Sequence, residues 1–358
     1  MKRQLLGVAA ILLSISTYAQ DNPLWMRYCA ISPDGTTIAF TYKGDIYTVP
    51  STGGRASQIT TNPAHDTKPI WSPDGKKIAF ASDRMGSMDI FEVNKEGGIP
   101  KRLTTHSGNE TPVAYKDAGH ILFLANIMPT AEDAQFPSGQ FQQVYEVNTE
   151  GGRPILFSSM PMEDISINHT GNTLLYHDKK GYEDPWRKHH TSSITRDIWL
   201  CSLNGNRTFR KQTAFNGEDR TPVWASDDKS FYYLSEEKGS FNIFKRDIDG
   251  NTSKQITNHT KHPVRFLSAA SNGTLCYGYD GEIYTVKEGA IPQKVQISIV
   301  TDKNDKDLIR QIKRSGATEI SLSSDAKEIA FVLRGDVYVT STEYSTTKQI
   351  TNTPQQER

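Results

Sequence analysis

The chain has 358 residues, with 41 basic against 41 acidic side chains and a formal net charge of zero at neutral pH. That balance argues against nucleic acid or an anionic membrane surface as the main partner, because either calls for a basic excess or patch. The length suffices for one large core or two smaller ones.

Residues 1–19 read as a secretory signal peptide. Lys2 and Arg3 precede an apolar run from Leu5 to Ile15, and Thr17-Tyr18-Ala19 places small residues at the cleavage positions. The run is short for a bilayer span and no later stretch is long enough. The expected mature protein therefore starts near Gln20, in the periplasm or outside the cell, with no membrane attachment after cleavage. Cys29, Cys201 and Cys276 are odd in number and widely spaced, which is no disulfide framework. Each falls in a strand-like segment and reads as a small buried hydrophobe.

From Ala30 onward the chain repeats. "AISPDGTTIAFTYKGDIYTVPSTGGRASQIT" and "IWSPDGKKIAFASDRMGSMDIFEVNKEGGIPKRLT" carry S-P-D-G turns 40 residues apart, at Ser32 and Ser72, and five weaker copies follow to make seven units. In the second unit, Pro69 to Ser72 is the first strand. Pro73-Asp74-Gly75 then turns the chain, with Pro presetting φ and Gly taking the left-handed position. Ile78-Ala79-Phe80 is apolar on consecutive residues, so both faces of the second strand are expected to be buried. Asp89 to Val93 alternates as the third strand, and Pro100 to Thr104, after Gly97-Gly98, is the outer one. Trp71 and Trp224, in first strands, read as core between units, and Asp34 and Asp74 as turn-forming. Four antiparallel strands repeated about every 40 residues predict an all-β fold, a β-propeller of four-stranded blades.

Six units end near Ile297, and "SIVTDKNDKDLIRQIKRSG" (298–316) interrupts the pattern with charge. The expected organisation is a signal peptide (1–19), a six-bladed propeller (22–297), a linker (298–316) and the first blade of a following, truncated propeller (317–358). A single seven-bladed ring with one long loop is the alternative. "QITNTPQQER" repeats the run-in "QITTNPAHDTKPIW" and stops at Arg358, so the chain is expected to be a fragment.

The S-P-D-G turns, followed by I-A-F and D-I-Y strands, resemble the WD40-like Pro-Asp repeats of TolB-type propellers. The phrases "GYEDPWRKHHTSSITRDIW", "HPVRFLS", "GTLCYGYDGEIYT" and "STTKQITNTPQQER" resemble the N-terminal region of secreted tricorn-type serine peptidases, over about residues 22–358. The resemblance implies two tandem propellers, six- and then seven-bladed, followed by a PDZ-like domain and a serine-peptidase core that would hold the catalytic residues. It carries no catalytic residue onto this chain. The expected role is non-catalytic: gating or docking peptides or unfolded segments for that downstream core. The alternatives are a free-standing periplasmic TolB-like scaffold and the propeller of a prolyl-oligopeptidase-type enzyme.

The residues themselves offer no G-x-S-x-G, H-E-x-x-H, P-loop or C-x-x-C, and no histidine spacing suited to a metal, so neither cofactor nor metal is expected. A Ser-His-Asp site assembled only on folding stays open. The segment "GYEDPWRKHHTSSITRD" (181–197) is an enlarged loop between the second and third strands of the fourth unit, and 126–141 is another in the third. Glu183, Asp184, Trp186, Arg187, Lys188, His189 and His190 are candidate substrate or partner contacts, with a solvated loop as the bland reading. Adjacent histidines in extended chain point to opposite sides, which disfavours a shared metal. Meander geometry puts both enlarged loops and the run-ins on one rim. Asp66, Asp219, Arg220, His262 and Arg265, at the starts of first strands, are therefore candidates for the channel mouth.

Overall fold

A computed structural model describes residues 23–127, 141–181, 192–300, 312–351, 353 and 355–356. Its regular elements are all strands, in seven consecutive sheets of four antiparallel strands, the first extended by a fifth. The inner strands of the first six sheets are Arg27–Ile31, Asp66–Trp71, Thr111–Asp117, Met162–Ile167, Asp219–Trp224 and Arg265–Ala269. Each packs against the next, and the sixth packs back on the first, so the ring closes with six blades and not seven.

The second strands show why the repeat folds this way. Ile38, Ala39 and Phe40, then Ile78, Ala79 and Phe80, then Ile121, Leu122 and Phe123 are all fully buried. A strand covered on both faces carries apolar residues without alternation. The clusters they form span neighbouring blades: Ile38, Phe40 and Tyr47 of blade one pack with Cys276 and Ile283 of blade six. Trp71 and Trp224 do lie between blades, each donating its indole N–H to the inner strand of the preceding one (Ala30 O, 2.8 Å; Ser166 O, 3.0 Å).

Two side-chain devices recur. In the S-P-D-G turn, Ser72 Oγ donates to Asp74 at 2.7 Å and accepts from the Lys77 N–H at 2.9 Å, while Gly75 sits at φ 68°. The serine hydroxyl and the backbone N–H groups hold the Asp34 and Asp74 carboxyls below their ordinary range, as turn-forming residues. At the other end, in five of the seven sheets, a threonine after the outer strand accepts from the first apolar N–H of the third strand. The pairs are Thr60 with Ile46, Thr104 with Ile90, Thr213 with Ile198, Thr257 with Ile243 and Thr351 with Val337, all at 2.8–3.0 Å. This contact is the physical content of the recurring D-I-Y and Q-I-T phrases.

The charged interruption is not wholly a connector. Ile297–Ile299 pairs in parallel with the outer strand of blade one, Gly54–Gln58, with Ile297 opposite Gly54 and Ile299 opposite Ala56. The seventh sheet (Ala317–Leu322, Glu328–Leu333, Asp336–Ser341, Thr347–Gln349) stands outside the ring and touches blade one through Lys43–Asp336 (3.3 Å) and Arg334 to Pro63 O (3.3 Å). Its first strand is exposed throughout.

Replacing buried Thr257 with Val strands the Ile243 N–H (2.9 Å) and removes one of the two donors to Asn242 Oδ1, which keeps the His259 N–H at 2.7 Å. The expected cost is about 1–3 kcal/mol, read as a lower urea midpoint at unchanged slope. An unaltered midpoint would mean the repeated contact is not stabilising.

Candidate docking cavity on the propeller axis

The inner strands of all six blades converge on an axial cavity of about 540 Å³, lined among others by Tyr28, Ile70, Thr111, Asp164, Val223 and Phe266. Its wall is built by a backbone device repeated around the ring. Tyr28, Lys68, Asp164, Thr221 and Phe266 hold φ between 48° and 57°, and the strand register shifts at each of these places. A bulge with a left-handed, non-glycine residue costs on the order of 1 kcal/mol or more and re-aims the side chains around it. The third blade departs: no residue of its inner strand holds a positive φ, and its register shifts twice, between Leu122 and Phe123 and between His120 and Ile121.

Charge concentrates where the chain enters the inner strands. Glu163 is the hub of the acidic side: Lys179 Nζ reaches it at 2.7 Å, His177 Nε2 at 3.2 Å and Arg196 Nε at 3.5 Å. Burial pushes the Glu163 carboxyl up, but the hydrogen bonds and charges of His177 and Lys179 outweigh it and hold the group below the ordinary range. His177 spends both nitrogens on structure, Nδ1 accepting from the Thr221 N–H at 3.3 Å and Nε2 facing Glu163. Arg196 also pairs with buried Glu218 at 2.7 Å. Arg220 lies 3.6 Å from Glu218 and stacks on Phe241, its guanidinium carbon 4.0 Å from the ring centre. Burial draws the Arg220 pKa down against the pull of Glu218.

Lys68 differs from these cations. Burial draws its ammonium below the ordinary lysine range, with Asp164 and Glu163 opposing from a distance. Among the described residues no carboxylate reaches ion-pairing distance; its neighbour is the Tyr28 ring, 5.7 Å from the ammonium to the centroid. It is a half-buried cation in the cavity wall.

Of the sequence candidates for the mouth, Arg220 and Arg265 line the cavity, whereas Asp66, Asp219 and His262 do not. Asp66 and Asp219 are instead buried in the sheet packing. Asp66 is fully buried and takes both its contacts from Arg84 Nη2, at 2.9 and 3.0 Å. His262 lies 3.3 Å from Asp280 and beside Tyr279, in blade six. Glu183, Asp184, Trp186, Arg187, Lys188, His189 and His190 lie outside the described residues. The residues flanking both enlarged loops, Gln142, Lys179 and Arg196, do line the cavity. The sequence reading missed Lys68, Glu163, His177 and Arg196; the recurring register of Lys68-Pro69 and Thr221-Pro222 after the run-in was the available signal for the first. Among the described residues no group of three or more His, Cys, Asp or Glu is placed to hold a metal ion.

The family model of the tricorn protease N-terminal β-propeller domain matches residues 23–290. The chain belongs to this family. A tricorn protease homolog of Streptomyces coelicolor is 25% identical over 281 residues, 77% of this chain and 25% of its own length. One from Saccharolobus solfataricus is 27% identical over 330 residues, 88% of this chain and 28% of its own length. The chain thus spans about a quarter of these relatives. The crystal structure of the tricorn protease superposes with a TM-score of 0.64 at 20% identity, covering 92% of this chain and 31% of that one, which is a likeness of fold.

This tricorn-type propeller also holds carboxyls, outside the cavity lining, whose pKa burial raises. Burial lifts Asp219 from 3.8 to about 7, against hydrogen bonds from Ser235 and Thr213, and lifts Asp45 and Glu110 to about 7 as well. Because the folded values lie above the unfolded ones, their stabilising contribution is full below the unfolded pKa and is lost as pH rises through about 7. Glu163 works oppositely, and its contribution is lost as pH falls below the ordinary glutamate range. The Asp219→Asn variant is expected to lose part of the fall in stability between pH 5 and 8, on the order of 1–2 kcal/mol, in urea titrations across that range. A slope equal to wild type would contradict the assignment.

Proposed function

We propose that this ring is the non-catalytic docking unit of a longer tricorn-type serine peptidase, and that its axial cavity receives segments of peptide or unfolded substrate for a catalytic core elsewhere in that protein. The carrying observation is Lys68. A half-buried ammonium with no carboxylate at ion-pairing distance among the described residues is complemented by a carboxylate on the guest. Arg220 and Arg265 in the same wall reinforce that preference, and the Glu163 cluster offers the opposite charge to a guest's amino groups or lysines. The family membership supports the peptidase context. The proposed organisation keeps a signal peptide at 1–19, the ring over 22–297, a linker over 298–316 and a blade of a following propeller over 317–358, where PDZ-like and peptidase domains of the same protein are its partners.

The binding claim is tested with fluorescent peptides that carry either a free or an amidated C-terminus. The free-acid peptide is expected to bind the wild-type chain better, and Lys68→Met to weaken it about tenfold or more while leaving the amide unchanged. Equal binding of both peptides to both proteins would remove the basis for docking. Export is tested separately: a secreted, periplasmic or extracellular protein would have its mature N-terminus at or near Gln20, whereas an intact Met1 would exclude signal cleavage.

A further inference from the structure

The join between blades six and one differs from the other five interblade joins, which are bridged by the chain passing directly from one blade to the next. Blade one uses only Arg27 to Gln58, apart from the added strand, and blade six only Arg265 to Lys294, so no strand is exchanged between them. The seam is held by the Ile31 N–H to Ser268 Oγ at 3.0 Å, the Ser271 N–H to Pro33 O at 2.9 Å, the Met26 N–H to Gly281 O at 3.0 Å, and the parallel strand Ile297–Ile299 on its outer side.

Two of the three cysteines meet in this seam. Cys29 is on the inner strand of blade one and Cys276 on the second strand of blade six, opposite Ser268. The Ser268 hydroxyl lies 3.4 Å from the carbonyl oxygens of both, so the two backbones flank one small side chain. The Cys29 thiol points to Phe266 O at 3.4 Å, and the inner strand of blade one that carries it packs on the second strand of blade six that carries Cys276. Both cysteines are buried members of one apolar cluster. A disulfide requires close backbones and sulfurs that can turn toward each other; Cys29 and Cys276 lie on packed strands with their carbonyls on either side of one serine hydroxyl.

We propose that Cys29 and Cys276 form an interblade disulfide that staples the seam and closes the ring covalently. The oxidant is a small-molecule disulfide such as oxidised glutathione. The thiolate of Cys29, a residue of the cavity lining, attacks one glutathione sulfur and expels the other half as a thiol. The Cys276 thiolate then displaces the second glutathione. Two protein thiols give up two protons and two electrons, and one glutathione disulfide becomes two thiols. Burial and the Cys29 neighbour push the Cys276 thiol well above its ordinary range, so the second step is slow in the closed ring and waits on opening of the seam. Once formed, the link opposes lateral separation of blades six and one.

The test uses the full chain in a glutathione redox buffer, once as native protein and once during refolding from urea, followed by thiol titration after denaturation. The count is expected to fall from three thiols to one, with a mass loss of two hydrogen atoms. The link is expected to appear faster on refolding, and non-reducing peptide mapping to join the Cys29 and Cys276 peptides. Cys201→Ser retains the link and Cys276→Ser loses it. Three thiols surviving in both samples, or a link that includes Cys201, would overturn the proposal.

Discussion

A propeller is stable only if its last blade finds its first, and in this chain that join is made by packing, a handful of hydrogen bonds and one short strand added on the outside. The consequences run outward and inward. On the outside, the chain leaving blade six lays Ile297–Ile299 along the edge of blade one, covering an otherwise open strand edge. On the inside, closure brings Tyr28 and Phe266 to 4.8 Å between ring centres and completes the wall of the axial cavity. The cavity exists because the ring closes at six; its residues come from every inner strand and from no contiguous stretch of sequence.

The repeat supplies rigidity, and the departures from it supply chemistry. Thr60, Thr104, Thr213 and Thr257 tie outer strand to third strand in one way, and the tryptophans tie blade to blade. Against that regular frame, the left-handed residues at the bulges present different side chains to the axis: a lysine, an aspartate, a threonine and two aromatics. Strain of this kind persists only where the surrounding structure over-determines it, and it clusters at binding and switch sites.

Much of the fold was legible in the sequence. The S-P-D-G turns, the consecutive apolar residues of the second strands and the Q-I-T phrases gave the four-stranded blades, because each reports a local interaction. Closure at six was open, since it depends on how the inner strands pack around an axis. The site was harder. Arg220 and Arg265, chosen for their place at strand starts, line the cavity, whereas Asp66 and Asp219 are buried in the sheet packing. His177, Lys179 and Arg196 come from the flanks of an enlarged loop and meet Glu163 only in three dimensions. Cys29 and Cys276 look unrelated in a chain that holds them almost a full ring apart; closure alone makes them neighbours.

The central claim is that the axial cavity of the six-bladed ring holds substrate chain, and photo-crosslinking addresses it most directly. A peptide with a diazirine side chain next to its free C-terminal carboxylate is bound, irradiated and mapped by mass spectrometry. Labels on the inner strands near Lys68, Asp164, Thr221 and Phe266 are the expected result. Labels confined to the outer strands or to the seventh sheet would contradict it.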